Sequence, residues 1–337
     1  MKWFSNFRPP LIRSLLMCCA AVMPLGGAAE GGTPSPIVWG VNGHPVVAYR
    51  SLPVEAQLDL VKALGFRSYR VDLYETAQKD ALDELVEQGR RRGVTILPIL
   101  IPDPMKASDE RDAYNAGFTI AHDFAMRFKG RVPAWELGNE YDNAVGMSSD
   151  GADPAQFPTS RYLKARGVIR GMLDGIRAAD PAALRAVDNA GWCHYGFLRR
   201  LREDGVEWDI TAQHWYSDQG DMENAACGCG TIASAIRMCH TNIFEILKGF
   251  GKPIWITEFN DNSPPSPEKP RVAAEWLVRQ MARFNAVAAR YGITAAHVYE
   301  LLDQPELEAA ERHYGVAQPD GGPKPAGDAI KAFLRAF

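Results

Sequence analysis

The sequence predicts an α/β fold, a single (β/α)8 barrel. Three observations carry that prediction. Short apolar runs of strand length alternate with longer stretches of helical periodicity, the pattern of a parallel sheet wrapped by helices. The alternation repeats eight times without an internal break. The units fill about 300 residues, inside the range of roughly 200 to more than 400 that such barrels occupy. An open doubly wound sheet is the competing architecture. It usually carries a glycine-rich fingerprint early in the chain, and none is present.

The units follow in order. A strand is expected over 37–44, then a helical pattern from Leu58 that stops at Gly65, a residue suited to ending a helix. The second strand is expected over 68–74, and its helix repeats Leu82, Leu85 and Val86 on one face. The third, over 94–101, contains Pro98, which cannot donate to a ladder and predicts a bulge or an early strand end. A helix over 114–129 leads into the fourth strand at Val132. The helix over 161–179 is halted by Asp180-Pro181, because a residue before proline is driven out of the helical region. The fifth and sixth strands are expected over 184–191 and 209–216, with a helix over 242–249 after a long loop. The seventh strand covers 253–259, and Leu277, Met281, Phe284 and Ala288 share one face of its helix. The eighth covers 293–300, and a helix over 328–337 closes the chain.

Composition excludes several functions. The 337 residues are 46% hydrophobic and 23% charged, an ordinary globular mixture. A formal net charge of −4 and the lack of a basic tract or phosphate loop argue against nucleic acid as a partner. Lys2, Arg8 and Arg13, the apolar run 15–23 and the small residues 26–29 read as a secretory leader over 1–29, followed by a linker over 30–36 and the barrel over 37–337. That apolar run is shorter than the roughly 20 residues a membrane span needs. The expectation is a secreted or periplasmic monomer with no membrane span in the mature chain. Export gives meaning to Cys193, Cys227, Cys229 and Cys239. They suggest at least one disulfide pinning the loop after the sixth strand. Cys227, Cys229, Cys239 and His240 also admit a zinc reading, although the Cys-x-Cys spacing is tighter than usual.

In such barrels chemistry sits where strands end. The polar residues there include Asn42, His44, Arg70, Asp72, Asp103, Asn139, Glu140, Asn189, His214, Tyr216, Glu258, Asn260, Tyr299 and Glu300. Two glutamates ending different strands suit glycosidic bond cleavage. One carboxyl protonates the leaving oxygen, and the other attacks the anomeric carbon or activates water. Trp39, Trp135 and Trp255 read as core, Trp215 as outward packing, and Trp192 and His194 as residues either beside a ligand or in loop packing.

The stretch Trp135-Glu-Leu-Gly-Asn-Glu140 resembles the Asn-Glu signature of clan A glycoside hydrolases, and family 39 most of all. Ile254-Trp-Ile-Thr-Glu258 resembles the clan's strand-seven nucleophile, and His214-Trp-Tyr216 its strand-six His-x-Tyr. The stretch Asp320-Gly-Gly-Pro-Lys-Pro325 resembles the loop before the clan's last helix. The likeness spans roughly 37–337, with Tyr299 standing where many members carry tryptophan. It implies a retaining glycosidase that needs no cofactor, with a poly- or oligosaccharide substrate. It implies Glu140 as acid/base, Glu258 as nucleophile, Tyr216 bonded to the nucleophile and Arg70 near it. Asn139, Arg70, His214, Tyr216, Tyr299 and Trp192 are the expected substrate-binding residues, Asn139 through the sugar 2-hydroxyl. Arg70 also admits a structural ion pair with Asp72 or Asp103. Physically, Glu140 should have a raised pKa, toward about 6 to 7, while Arg70 and Tyr216 favour the charged form of Glu258. The carboxyls should stand about 5 to 5.5 Å apart. A carbohydrate-binding barrel without catalysis is the alternative, as is a zinc hydrolase built on the cysteines.

Overall fold

The computed structural model describes residues 35–227, 240–307 and 311–336. Eight parallel strands pair in sequence order and close on themselves. They are β1 (Val38–Gly43), β2 (Ser68–Leu73), β3 (Thr95–Leu100), β4 (Ala134–Leu137), β5 (Leu184–Val187), β6 (Ile210–Tyr216), β7 (Ile254–Asn260) and β8 (Ile293–Val298). The helices among the described residues are α1 (Val54–Leu64), α2 (Lys79–Arg92), α3 (Glu110–Phe128), α4 (Tyr141–Val145), α5 (Thr159–Ala179), α6 (Tyr195–Glu203), α7 (Ile243–Lys248), α8 (Lys269–Tyr291) and α9 (Pro325–Leu334). None of them is long and apolar enough to cross a membrane.

Local chemistry sets the ends. Asp109 and Asn242 cap α3 and α7 by accepting from backbone N–H groups of the first turn. Gly65 ends α1, as the sequence predicted. The helical stripes pack inward: Leu82, Leu85 and Val86 of α2, and Leu277, Met281, Phe284 and Ala288 of α8, are all buried. Trp39 and Trp135 are core and Trp215 is fully buried in packing, whereas Trp255 lies half-buried on the outer face and donates to Thr294.

Pro98 neither bulges nor ends its strand. Thr95 and Ile101 donate their N–H groups to Arg67 and Leu73, toward β2. Alternation therefore turns the nitrogen of residue 98 toward β4. The ladder to β4 contains only Ile99 and Leu100 on the β3 side, so no bond is lost at the proline.

Helices α3 and α5 touch backbone to backbone. A Cβ added at Gly167, Gly171 or Gly175 of α5 would fall within 2.7 Å of the carbonyl oxygen of Glu110, Tyr114 or Phe118, and one at Gly117 of α3 would meet that of Val168. Phe124 and Phe128 of α3 pack in turn on Trp135 of β4, with ring centroids 6.0 and 6.3 Å away.

Cys193 and Cys227 are buried free thiols, so no bridge joins them. The Cys193 sulfur lies 4.0 Å from the Ala226 carbonyl oxygen instead. Cys229 and Cys239 lie outside the described residues, and so does any bridge or zinc site that needs them. The expected leader and all of the linker before Ser35 lie outside them too.

Candidate active site

Glu258 sits within β7 and is aimed by a bulge. Gln213 pairs with Ile256 and the next residue, His214, pairs with Glu258, so Thr257 is the extra residue. Glu140 comes from the other side of the barrel, just past β4, where it caps α4 with left-handed backbone at φ 50° and ψ 43°. Gly138 makes the turn at φ 95°, where a Cβ would come 2.5 Å from the Tyr141 ring. The result brings a carboxylate oxygen of Glu140, a ring nitrogen of His214 and a carboxylate oxygen of Glu258 within 4.8 Å of one another.

Beneath them lies a buried charge network. Arg70, 1% exposed, is fully engaged. Its Nη1 donates to Glu258 Oε1 at 2.7 Å and to Asn42 Oδ1 at 2.7 Å. Its Nε and Nη2 grip Glu136 at 2.7 and 3.1 Å, and Nη2 also donates to Asn139 Oδ1 at 2.9 Å. This is the bidentate use of a planar guanidinium. The Tyr216 hydroxyl donates to the second Glu258 oxygen at 2.7 Å. His214, fully buried, places Nδ1 2.8 Å from Glu140 Oε1 and Nε2 3.2 Å from Asp188 Oδ2. Asp188 also accepts the backbone N–H of Glu140, at 3.2 Å. Asn143 donates to the outer Glu140 oxygen at 3.0 Å.

Two cations therefore face four carboxyls. Burial opposes the His214 cation, but Glu258, Asp188, Glu136 and Glu140 together raise its pKa well above the ordinary imidazole value. Burial pushes the Asp188 carboxyl up to about 7 in spite of His214. Burial also opposes ionisation of Glu136, yet the Arg70 charge and His214 bring it down to about 2. The expected elevation of Glu140 is not found. Burial raises it, but the His214 hydrogen bond and charge, with Asn143, outweigh burial and leave it below the ordinary carboxyl value.

A cleft of about 490 Å³ opens over the pair, lined among others by Asn139, Trp192, Tyr216, Tyr299 and both catalytic candidates. Its wall carries a second polar set. His44 Nδ1 lies 2.6 Å from Asp72 and Nε2 3.2 Å from Glu300, whose carboxylate accepts from Tyr49 and Gln304. Burial works against the His44 cation, but Asp72 and Glu300 carry its pKa up to about 10. The Tyr299–Glu300 peptide is cis.

Most expected residues converge here, with corrections. Arg70 and His214 were expected to touch substrate; both lie under the carboxylates and neither lines the cleft. Arg70 pairs with Glu136 and Glu258, not with Asp72 or Asp103. Asp103 caps a single turn by accepting from Met105. His194 is buried against Asp142, whereas Trp192 is 41% exposed at the cleft, with φ 39°. Sequence reasoning assigned no role to Glu136 and did not select Asp188. A glutamate inside the apolar strand Ala134–Leu137 was the available signal for the first. For the second it was an aspartate directly after β5.

Two groups have the donor types of a metal site: Glu136 with Asp188 and His214, and Glu140 with His214 and Glu258, each within 4.8 Å. In both groups a guanidinium or imidazole cation already pairs with the carboxylates: Arg70 with Glu136 and Glu258, His214 with Glu140 and Asp188.

No protein-family profile matches the chain, and no curated protein matches it by sequence. Solved structures do. A family 39 glycoside hydrolase from Bacteroides cellulosilyticus WH2 superposes with a TM-score of 0.66 at 16% identity, covering 90% of this chain and 64% of that one. The chain thus spans less than two thirds of that relative. Xylanase 10B from Thermotoga maritima gives 0.62 at 16% identity over 89% of this chain and 95% of its own. A β-glucosidase from the same organism gives 0.68 at 11% identity over 90% and 99%. The shared property is the closed eight-stranded fold. Family 39, to which the sequence motifs point, is among these neighbours.

Proposed function

We propose that the protein is a retaining glycosidase acting on β-glycosidic bonds of an oligo- or polysaccharide, with Glu258 as nucleophile and Glu140 as acid/base. The observation that carries this is that a carboxylate oxygen of Glu140, from the end of β4, lies within 4.8 Å of one of Glu258 on β7. Retaining enzymes hold theirs about 5 to 5.5 Å apart, and inverting enzymes need roughly 6.5 to 9.5 Å to admit a water. The glycosidases among the fold neighbours agree with the reading, and so does the cleft lined by Trp192, Tyr216 and Tyr299.

The steps follow from the geometry. Glu140 protonates the glycosidic oxygen as a Glu258 oxygen bonds to the anomeric carbon and the aglycone leaves as an alcohol. Arg70 and Tyr216 hold the attacking group in line. Glu140 then takes a proton from water, whose oxygen displaces Glu258. Arg70 fixes the Asn139 oxygen, which turns the amide N–H groups toward the cleft to meet a sugar hydroxyl. Residues 1–29 support export, and the mass of the protein recovered outside the cytoplasm tests that point.

The test is a panel of aryl β-glycosides and polysaccharides, with the anomer of the first product read by NMR. Retention is expected. An inverted first product would remove the nucleophile role from Glu258, and binding without cleavage across the panel would favour the non-catalytic barrel.

A further inference from the structure

The Glu140 environment sets a problem. A proton donor is wanted at the mouth of the barrel, and the group placed there is held by a buried imidazole that favours its ionised form. The imidazole itself is the unused group of the site. His214 is 0% exposed, cannot reach a sugar, and sits between the two catalytic candidates with Nδ1 2.8 Å from Glu140 and 3.5 Å from Glu258.

We propose that His214 is the proton reservoir of Glu140, discharged as Glu258 loses its charge. The inference rests on the glycosidase reading above. In the resting protein Nδ1–H of an imidazolium donates to a Glu140 carboxylate. During glycosylation the N–H bond breaks, an O–H bond forms on Glu140, and that proton passes to the leaving oxygen. His214 is left neutral while Glu258 becomes an ester. In the second half, Glu140 takes a proton from the attacking water and returns it to Nδ1 as Glu258 regains its charge. Protons balance over the cycle, and no group from outside is needed.

The coupling is electrostatic. Burial opposes the His214 cation, and Glu258, with a carboxylate oxygen 3.5 Å from Nδ1, is one of the carboxylates that support it. At 3.5 Å between two buried side chains its loss is felt far more than it would be in water. Every charged neighbour of the ring bears on this. Glu136 and Glu140 approach from the β4 side, Asp188 from β5, Glu258 from β7 and Arg70 from β2. Asp188 is a positioning residue. Its carboxylate stands 3.2 Å from His214 Nε2 and accepts the Glu140 backbone N–H, and so holds the ring and the Glu140 turn in register. Esterification changes only the Glu258 charge.

The experiment needs no knowledge of the sugar. Glu258→Gln imitates the loss of charge that esterification causes. In protein labelled with 15N histidine, the His214 ring nitrogens, assigned by difference from His214→Gln, are read at pH 7 in the parent and in Glu258→Gln. A cationic ring in the parent and a neutral one in the variant is expected. A ring in the same protonation state in both overturns the proposal, whether or not the protein cleaves any glycan. Conversely, a failed substrate panel with a responsive ring would sink the glycosidase reading and leave the coupling intact. On the aryl glycoside that the panel identifies, His214→Gln should lose about 100-fold in kcat/KM with a poor leaving group. It should lose less than about 5-fold with 2,4-dinitrophenolate, which departs without a proton. Equal losses on both would mean that His214 is merely structural, which also overturns the proposal.

Discussion

The two glutamates at the mouth of the barrel are the same residue type in opposite settings. Glu258 lies inside a strand, and both of its oxygens take donors that carry or share a permanent role, Arg70 and Tyr216. Glu140 lies past its strand in left-handed backbone, with one oxygen on a titratable imidazole and the other on an amide near the surface. On the proposed reading, the first is the nucleophile and the second the group that exchanges a proton. The difference comes from where the chain places each group. The strand ladder fixes Glu258 over Arg70, while the turn after Gly138 lifts Glu140 to the height of His214.

The largest expected effect separates these roles. Glu258→Gln should lower kcat on any accepted glycoside by about 10⁴-fold or more; Glu140→Gln should lower kcat/KM by about 10²- to 10⁴-fold only on substrates whose leaving group needs a proton, while kcat falls on all of them because the water of the second step loses its base. Azide should restore turnover to an alanine variant at either site, giving a glycosyl azide of α configuration at 258 and of β configuration at 140. The same azide anomer from both would erase the distinction. Next in size, Arg70→Met leaves Glu136 and Glu258 buried without their hydrogen-bonded guanidinium, so it should cost about 3 to 5 kcal/mol of stability. It would be read as a lower urea midpoint with an unchanged slope; an unchanged midpoint would show that the network is not the foundation under both carboxylates.

The smallest effect extends the contrast to the histidines. His297, buried beside Ser68 at 2.8 Å, is brought down to about 3, first by burial, with Arg70 adding to it and Glu136 opposing. Its folded pKa is depressed below the unfolded value near 6.5, so its contribution is present above about pH 6.5 and fades as pH falls toward 3. His297→Asn should therefore flatten the acid loss of stability in that window by up to about 1.4 kcal/mol per pH unit. Parallel curves for parent and variant would contradict it.

Much of this was legible because strand ends concentrate polar residues. Glu140, Glu258, Asn139, Tyr216, Tyr299 and Trp192 were found from their positions at the ends of apolar runs, and all line the cleft. What escaped was vertical order inside the barrel. Nothing in a linear pattern says whether Arg70 or His214 reaches the cleft or stays one layer down, since alternation gives the facing and not the depth. Glu136 and Asp188 escaped for the related reason that their partners come from β2 and β6, far away in sequence. Pro98 misled because its missing donor matters only against β4, and β4 starts late. The Glu140 proton affinity was misjudged because it was argued from what a proton donor needs near neutral pH, and the His214 imidazole that favours the carboxylate comes from β6, far away in sequence.

The glycine seam between α3 and α5 has a bearing on how such a protein can diversify. Any side chain at 117, 167, 171 or 175 would wedge the two helices apart. Because Trp135 rides on Phe124 and Phe128, the wedge would carry β4 outward and take Glu140 off its mark. The tolerance there is a fraction of a bond length. A designer seeking a new sugar specificity should therefore graft at the rim, around Trp192 and Tyr299, and copy the seam letter for letter.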